Sequence, residues 1–195
     1  MVQHAAGDRN RRPAGGTGFT LIETALALAI VGLGVVATMS LFAACTSGNR
    51  SSAQMSTAMM LCTNIQEAMG GLSFADPGSG YRNFGAEANE SDVAVYDDVD
   101  DFDRRSFNPP INSLRQTIPE LAQYTQVVSV WPVYPNKLSV NSNESSPDLP
   151  KTGFPPNCTA PYTGAVRVRV RILYAARAGD VPSEVFQHSW IRLDN

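Results

Sequence analysis

Residues 18–44 read GFTLIETALALAIVGLGVVATMSLFAA, and this stretch decides the fold. From Thr20 to Ala44 the only ionisable side chain is that of Glu23. A helix of about 25 residues is roughly 37 Å long, enough to cross a hydrocarbon core of ~30 Å with some tilt. The stretch therefore predicts a membrane-spanning helix.

A short basic segment precedes this helix. Arg9, Arg11 and Arg12 stand among small and polar residues. An ordinary secretory signal has an apolar region of about 7–15 residues with its cleavage site after it, and the run here is longer. We expect the basic flank to stay in the cytoplasm and the bulk of the chain to cross the membrane. The predicted organisation is a leader over residues 1–18, a membrane helix over 19–45 and a periplasmic domain over 46–195.

Glu23 requires an explanation, because a carboxylate inside an apolar membrane helix costs about 2.5–3.5 kcal/mol unless it has a partner. Cleavage after Gly18 would create a positively charged amine at Phe19, near the depth of Glu23. Within one helix the two groups are poorly placed to meet, since a full helical turn separates them. Between staggered helices of neighbouring copies they can pair, so the pattern predicts a subunit that docks onto others like itself.

The Gly18-Phe19-Thr-Leu-Ile-Glu23 motif resembles the processing site of the type IV pilin and type II secretion pseudopilin superfamily. The resemblance implies that a prepilin peptidase cleaves between Gly18 and Phe19 and methylates the Phe19 amine. It also implies that Glu23 guides docking, and that an inner-membrane assembly platform extracts the subunit into a filament with other pilins. Gly32 falls where many of these helices carry glycine, whereas Ser40 stands where many main subunits have proline. The resemblance covers only the first quarter of the chain.

A lipoprotein is the alternative interpretation of the same region. Residues 41–45 read LFAAC, which looks like a lipobox with Cys45 as the lipidated residue. The preceding apolar region is too long for a lipoprotein signal and contains an acid. We therefore favour the pilin interpretation.

The charge balance argues against general nucleic-acid binding. The chain of 195 residues has 18 acidic and 15 basic residues, a net charge of −3. Removal of residues 1–18 takes away three arginines and one aspartate, which leaves 17 acidic and 12 basic residues and a net charge of −5. A net-acidic body does not attract phosphates.

After the membrane segment, apolar residues recur at helical spacing up to Gly70-Gly71, where we expect the helix to end. Gly48 lies inside this helix and weakens it locally. The expected apolar face, packed on the protein's own sheet, consists of Met55, Ala58, Met59, Cys62, Ile65 and Met69.

Three later stretches predict strands: 124–133, 166–173 and 185–193. The middle one alternates valine or isoleucine with arginine, and the turn residues at 178–182 predict an antiparallel hairpin with the last. A long N-terminal helix, half transmembrane and half amphipathic, on a small antiparallel sheet is an α+β fold. The pilin resemblance implies the same fold.

Three arginines of the middle strand would project from one face of the sheet: Arg167, Arg169 and Arg171. Relatives in DNA-uptake machines contact DNA, so a DNA-contacting pseudopilin is a second alternative. Phosphate binding needs a broad basic field, and three arginines in an acidic protein are a narrow one. We expect instead a solvated or subunit-facing surface, which could meet the aspartate run at 97–103 of the same or a neighbouring copy.

An acidic run interrupts the loop-rich region between residues 73 and 120. Its aspartates are Asp97, Asp98, Asp100, Asp101 and Asp103. Their hard oxygens match calcium, but the spacing is not that of an EF-hand. We expect carboxylates that cap turns or meet arginines, with calcium binding as the alternative. The run also resembles a segment of minor pilins of the mannose-sensitive haemagglutinin type, which favours a minor subunit.

No motif points to an enzyme or to a cofactor or small-molecule substrate. His4 lies in the predicted leader and His188 in a strand. Cys45 and Cys62 are too far apart along one helix to form a disulfide. A Cys62–Cys158 disulfide and buried free thiols both remain open.

Overall fold

The computed structural model describes residues 18–76, 83–136, 148–153, 155 and 157–194. Its helix α1 spans Leu21–Gly70 without interruption, so Gly48 does not break it. Four strands follow: β1 at Arg105–Phe107, β2 at Tyr124–Pro132, β3 at Ala165–Tyr174 and β4 at Ser183–Leu193. Short 3-10 turns lie at Val93–Val95, Asp100–Phe102 and Pro119–Leu121. The α+β prediction is confirmed. The basic part of the predicted leader, residues 1–17, lies outside the described residues.

The chain divides into two units, one ending at Asn49 and one beginning at Arg50. In the first unit the described residues are the start of α1 and its apolar run. The second unit holds the rest of α1 and the whole sheet.

The sheet is antiparallel throughout, in the order β1-β2-β3-β4. The three predicted strands are confirmed, and β3 and β4 form the predicted hairpin. Burial alternates along β2 and β3, as the sequence period of two requires. The short β1 was missed, because three residues are too few to show a period. It pairs with the middle of β2, where Ser106 lies opposite Val127.

The core lies between the second half of α1 and one face of the sheet. The buried residues of the helix are Ala58, Leu61, Cys62, Ile65, Ala68 and Met69. They pack with the inward-facing valines of β2 and β3, such as Val128 and Val170. Two members of the predicted apolar face are instead exposed, Met55 by 41% and Met59 by 50%. Leu61 and Ala68 are buried in their place, because they lie three residues after Ala58 and Ile65, respectively, and therefore on the same face of the helix.

The end of α1 agrees with the prediction. The helix ends at Gly70. Arg192 of β4 donates hydrogen bonds to the carbonyl oxygens of Gly70 and Leu72, at 3.3 and 3.0 Å. A guanidinium at a helix C-terminus satisfies carbonyl groups that have no partner within the helix.

Candidate functional site

The predicted processing residues lie directly before and within the first turn of α1. Gly18, Phe19 and Thr20 precede the helix, which starts at Leu21. The Thr20 carbonyl accepts the N–H of Thr24 at 3.2 Å, so Thr20 is the N-cap residue. Its Oγ1 lies 3.3 Å from the Glu23 backbone nitrogen and accepts that N–H. Thr20 to Glu23 thus has the spacing and the first hydrogen bond of a capping box.

This capping arrangement gives Glu23 a local role that our reading of the sequence missed, although the Thr-x-x-Glu spacing was visible. A carboxylate in the first helical turn is also favoured by the helix dipole. Neither effect uses a partner charge. Among the described residues the Glu23 carboxylate forms no ion pair, and Phe19 is 79% exposed. Glu23 is exposed as well, so both residues predicted to dock neighbouring subunits are accessible.

The apolar run of α1 has an exposed surface. Its large side chains from Leu21 to Phe42 are 48% to 88% exposed. The helix reaches a mean hydropathy of 2.3 over 18 residues, and within the described ranges it is the one helix long and apolar enough to cross a membrane. The hydroxyls of Thr38 and Ser40 donate to carbonyl oxygens one turn earlier, Ser40 to Val36 at 2.9 Å. Such internal hydrogen bonds make hydroxyls compatible with an apolar surrounding.

The structure separates the five predicted aspartates into three environments. Asp97 is exposed. Asp103 is buried and pairs with Lys151 Nζ at 2.6 Å, while its other oxygen accepts the Val130 N–H. The remaining three, Asp98, Asp100 and Asp101, are buried and bring carboxylate oxygens within 4.8 Å of one another.

Two glutamates join these three aspartates. Glu87, Glu90 and Asp101 form a second group whose oxygens lie within 4.8 Å of one another, and Asp101 is common to both groups. We call these five residues the acidic cluster: Glu87, Glu90, Asp98, Asp100 and Asp101. Our reading of the sequence missed the glutamates, because nothing local connects them with the aspartates about ten residues further on.

Backbone N–H groups hold the aspartates in place. Asp98 Oδ1 accepts the N–H groups of Asp100 and Asp101 at 2.8 and 3.1 Å. Asp101 Oδ2 accepts those of Asp97 and Asp98 at 3.0 and 3.2 Å. Asp100 Oδ1 accepts the N–H of Gly85, whose φ of +88° favours glycine. The prediction that carboxylates cap turns is confirmed for Asp98 and Asp101.

Burial sets the electrostatics of the acidic cluster. Burial, together with repulsion from the neighbouring carboxylates, raises the pKa of Asp98, Asp100 and Asp101 to about 8. Burial and the hydrogen bond to Glu90 raise the pKa of Glu87 to about 8 as well. Burial would raise the pKa of Glu90, but hydrogen bonds from Glu87 lower it. The cluster contains only hard oxygen ligands, which suit protons or hard cations.

The three arginines of β3, Arg167, Arg169 and Arg171, pair with acids outside the 97–103 run that was expected to meet them. Arg167 Nε lies 2.9 Å and Arg169 3.3 Å from oxygens of Asp148, and Arg171 lies 3.8 Å from Glu184. Arg169 also stacks over Trp131 at 4.8 Å from the ring centroid. These ion pairs reduce the positive charge of the three arginines that is available to bind phosphates.

The cysteines and His188 form no shared site. All three cysteines are free thiols, with Cys45 exposed on α1 and with Cys62 and Cys158 buried. Of the two open interpretations, the structure agrees with free thiols. Burial raises the pKa of Cys62 to about 12. His188 lies on β4 and stacks on Trp190 at a centroid distance of 5.8 Å.

In comparisons with known proteins, no family model, curated protein or solved structure matches this chain.

Proposed function

We propose that the chain is a minor pilin or pseudopilin, a structural subunit of a type IV pilus or a type II secretion pseudopilus. One observation carries the proposal. The motif from Gly18 to Glu23 stands at the start of a long helix whose apolar surface is exposed. A processing site at the end of an apolar helix suits a subunit that is first held in a membrane and then packed among similar helices.

In this proposal, prepilin peptidase cleaves between Gly18 and Phe19 and methylates the new amine. The subunit then lies in the inner membrane with its N-terminus on the cytoplasmic side and residues 46–195 in the periplasm. The exposed apolar side chains between Leu21 and Phe42 lose their lipid contacts and pack against neighbouring subunits in the filament. Dispersion and close packing replace lipid contacts without a large change in apolar surface exposed to water.

Glu23 provides selectivity for the docked state. Its carboxylate has no ion-pair partner among the described residues of its own chain, and the Phe19 side chain beside the cleavage site is exposed. The Phe19 amine of a staggered neighbour neutralises it in an apolar surrounding, where an unpaired charge is costly. The capping interaction with Thr20 holds the first turn in place, so that the carboxylate is presented from a fixed backbone.

The lipoprotein alternative receives no support from the position of Cys45. This residue lies well inside α1, and cleavage before it would remove the whole exposed apolar run. DNA contact through Arg167, Arg169 and Arg171 is not part of the proposal, because acidic side chains accompany all three.

The test is mass spectrometry of the mature protein purified from membranes. An N-terminal peptide that begins with N-methylated Phe19 is the expected result. An uncleaved leader, or a lipid attached to an N-terminal Cys45, would refute the proposal. Crosslinking in membranes, followed by identification of the captured proteins, tests the proposed assembly into a filament. Other pilins and assembly-platform proteins are the expected partners.

A further inference from the structure

One buried oxygen of the acidic cluster has no hydrogen-bond donor. Asp101 is fully buried, and its Oδ2 accepts two backbone N–H groups. Its Oδ1 is also buried, yet no described residue donates a hydrogen bond to it. Burial of an acceptor without a donor is unfavourable, and native proteins resolve such cases with a water or an ion.

The surroundings of this oxygen are acidic on both sides. Asp101 belongs to the group with Asp98 and Asp100 and to the group with Glu87 and Glu90. Carboxylate oxygens of Glu87, Glu90 and Asp101 lie within 4.8 Å of one another. Carboxylates so close together repel each other unless a proton or a cation lies between them.

The basic groups that the structure describes near the cluster are engaged elsewhere. Lys151 pairs with Asp103, and Arg105 Nε donates to the backbone carbonyl of Asp101 at 3.2 Å rather than to its carboxylate. Arg115 donates to the carbonyl of Tyr96. Among the described residues, no basic side chain forms an ion pair with Asp98, Asp100 or Asp101.

The backbone contacts prepare the remaining oxygens for a ligand. Asp98, Asp100 and Asp101 each use one carboxylate oxygen for backbone N–H groups. The second oxygen of Asp101 has no donor among the described residues and is left for another partner. Glu90 Oε2 likewise accepts the Glu87 N–H at 2.9 Å. Metal-binding carboxylates are characteristically oriented by such hydrogen bonds.

We infer that the acidic cluster binds one divalent cation of the calcium type, with Asp101 Oδ1 as a central ligand. All available ligands are oxygens, and calcium accepts the crowded, irregular sets of carboxylates that magnesium, with its strict octahedron, does not. The cation joins the segment of Glu87 and Glu90 to the 98–101 turn. This inference concerns the folded domain and does not depend on the proposed function.

The first test is calorimetric titration of the EDTA-treated full chain in detergent with CaCl2 and, separately, MgCl2. We expect one calcium site with a Kd on the order of 10⁻³ M or tighter, and weaker binding of magnesium. At a calcium concentration of about 100 times the Kd, the Tm of the domain should rise by about 5–10 °C. No calcium heat and no shift of Tm would overturn the inference, and protons shared between the carboxyl groups would then stabilise the cluster. Equal binding of magnesium would also count against it.

Variants locate the site. Asp101→Asn keeps an oxygen for the two backbone N–H groups and places an amide where the unpartnered oxygen lies, so calcium binding should weaken at least tenfold. Asp97→Asn is the matched control, because Asp97 belongs to the same acidic run but is exposed and outside both groups. It should bind calcium like the unaltered chain. If circular dichroism shows that Asp101→Asn is unfolded, Glu90→Gln replaces it with the same expected loss. Unchanged binding in the folded variant would overturn the assignment, and none of these readouts requires filament assembly.

Discussion

Gln126 of β2 donates a hydrogen bond from its Nε2 to the backbone carbonyl of Leu61 in α1, at 2.9 Å. Gln126 is completely buried and also makes two hydrogen bonds with the backbone of Ile111, at 2.7 and 3.0 Å. One side chain thus joins the sheet, the helix and the loop. A fully satisfied buried polar group of this kind specifies how these elements pack.

Replacement of this residue should destabilise the domain. Gln126→Leu keeps a similar volume but leaves the Ile111 N–H and carbonyl without their buried partner. We expect the free energy of unfolding to fall by about 1–3 kcal/mol in urea denaturation. Gln123→Leu, at an exposed position just before the same strand, should change it by no more than about 0.5 kcal/mol. Equal effects of the two substitutions would contradict a special role of Gln126.

The pair of Lys151 and Asp103 allows a double-mutant test. The two side chains are 5% and 0% exposed, and Lys151 Nζ also donates to the Val130 carbonyl at 2.7 Å. Lys151→Met should lower the free energy of unfolding by about 3–5 kcal/mol, because it leaves a buried carboxylate without its main partner. Addition of Asp103→Asn should recover a large part of this loss. A double variant as unstable as the sum of the single ones would show that the pair is not coupled.

Gly85 should not tolerate a side chain. At its φ of +88°, an added Cβ would lie 2.8 Å from Cγ of Pro155. We expect Gly85→Ala to lower the free energy of unfolding by about 1–3 kcal/mol. Gly179→Ala is the control, since Gly179 has a φ of +94° but no atom within 4 Å of an added Cβ. The difference in unfolding free energy between the two variants measures the contact with Pro155. A smaller loss for Gly85→Ala than for Gly179→Ala would refute a steric role of that contact.

Thiol labelling distinguishes buried thiols from a disulfide. With Cys45→Ser as background, Cys62 and Cys158 should resist a thiol reagent at pH 8 in the folded protein. The reason is burial, which raises the pKa of Cys62 to about 12 and keeps it as the unreactive thiol. In denaturant without reductant, two labels per chain should appear by mass spectrometry. Absence of label after denaturation would instead reveal a Cys62–Cys158 disulfide.

Substitutions at Glu23 separate helix capping from charge pairing. Glu23→Gln keeps a residue suited to the capping box but removes the charge, whereas Glu23→Ala removes both. Both variants should insert into the membrane, and both should enter filaments about tenfold less than the unaltered chain, as expected for the loss of roughly 1.4 kcal/mol. Thr24→Val, which removes only the hydroxyl bond to the Leu21 carbonyl, is the control. Normal incorporation of Glu23→Gln, measured by immunoblot of sheared filaments, would argue against charge pairing.

Local patterns along the chain were enough to predict α1, three strands and the hairpin. Hydrophobic periodicity reflects which side of a helix or strand is buried, so it can be read within a short window. The motif from Gly18 to Glu23 also indicated where the helix starts, although the capping role of Thr20 was overlooked. The exposed Met55 and Met59 show the limit of this approach, because the extent of a buried face depends on where the sheet begins.

The acidic cluster and the contacts of Gln126 depend on tertiary structure. Glu87 and Glu90 meet Asp101 only because the intervening chain folds back, and the fold buries Asp98 and Asp101 while leaving Asp97 exposed. Adjacent aspartates are equivalent in the sequence. Their burial, their pKa and their capacity to bind a cation arise from the surrounding backbone, which no local pattern encodes.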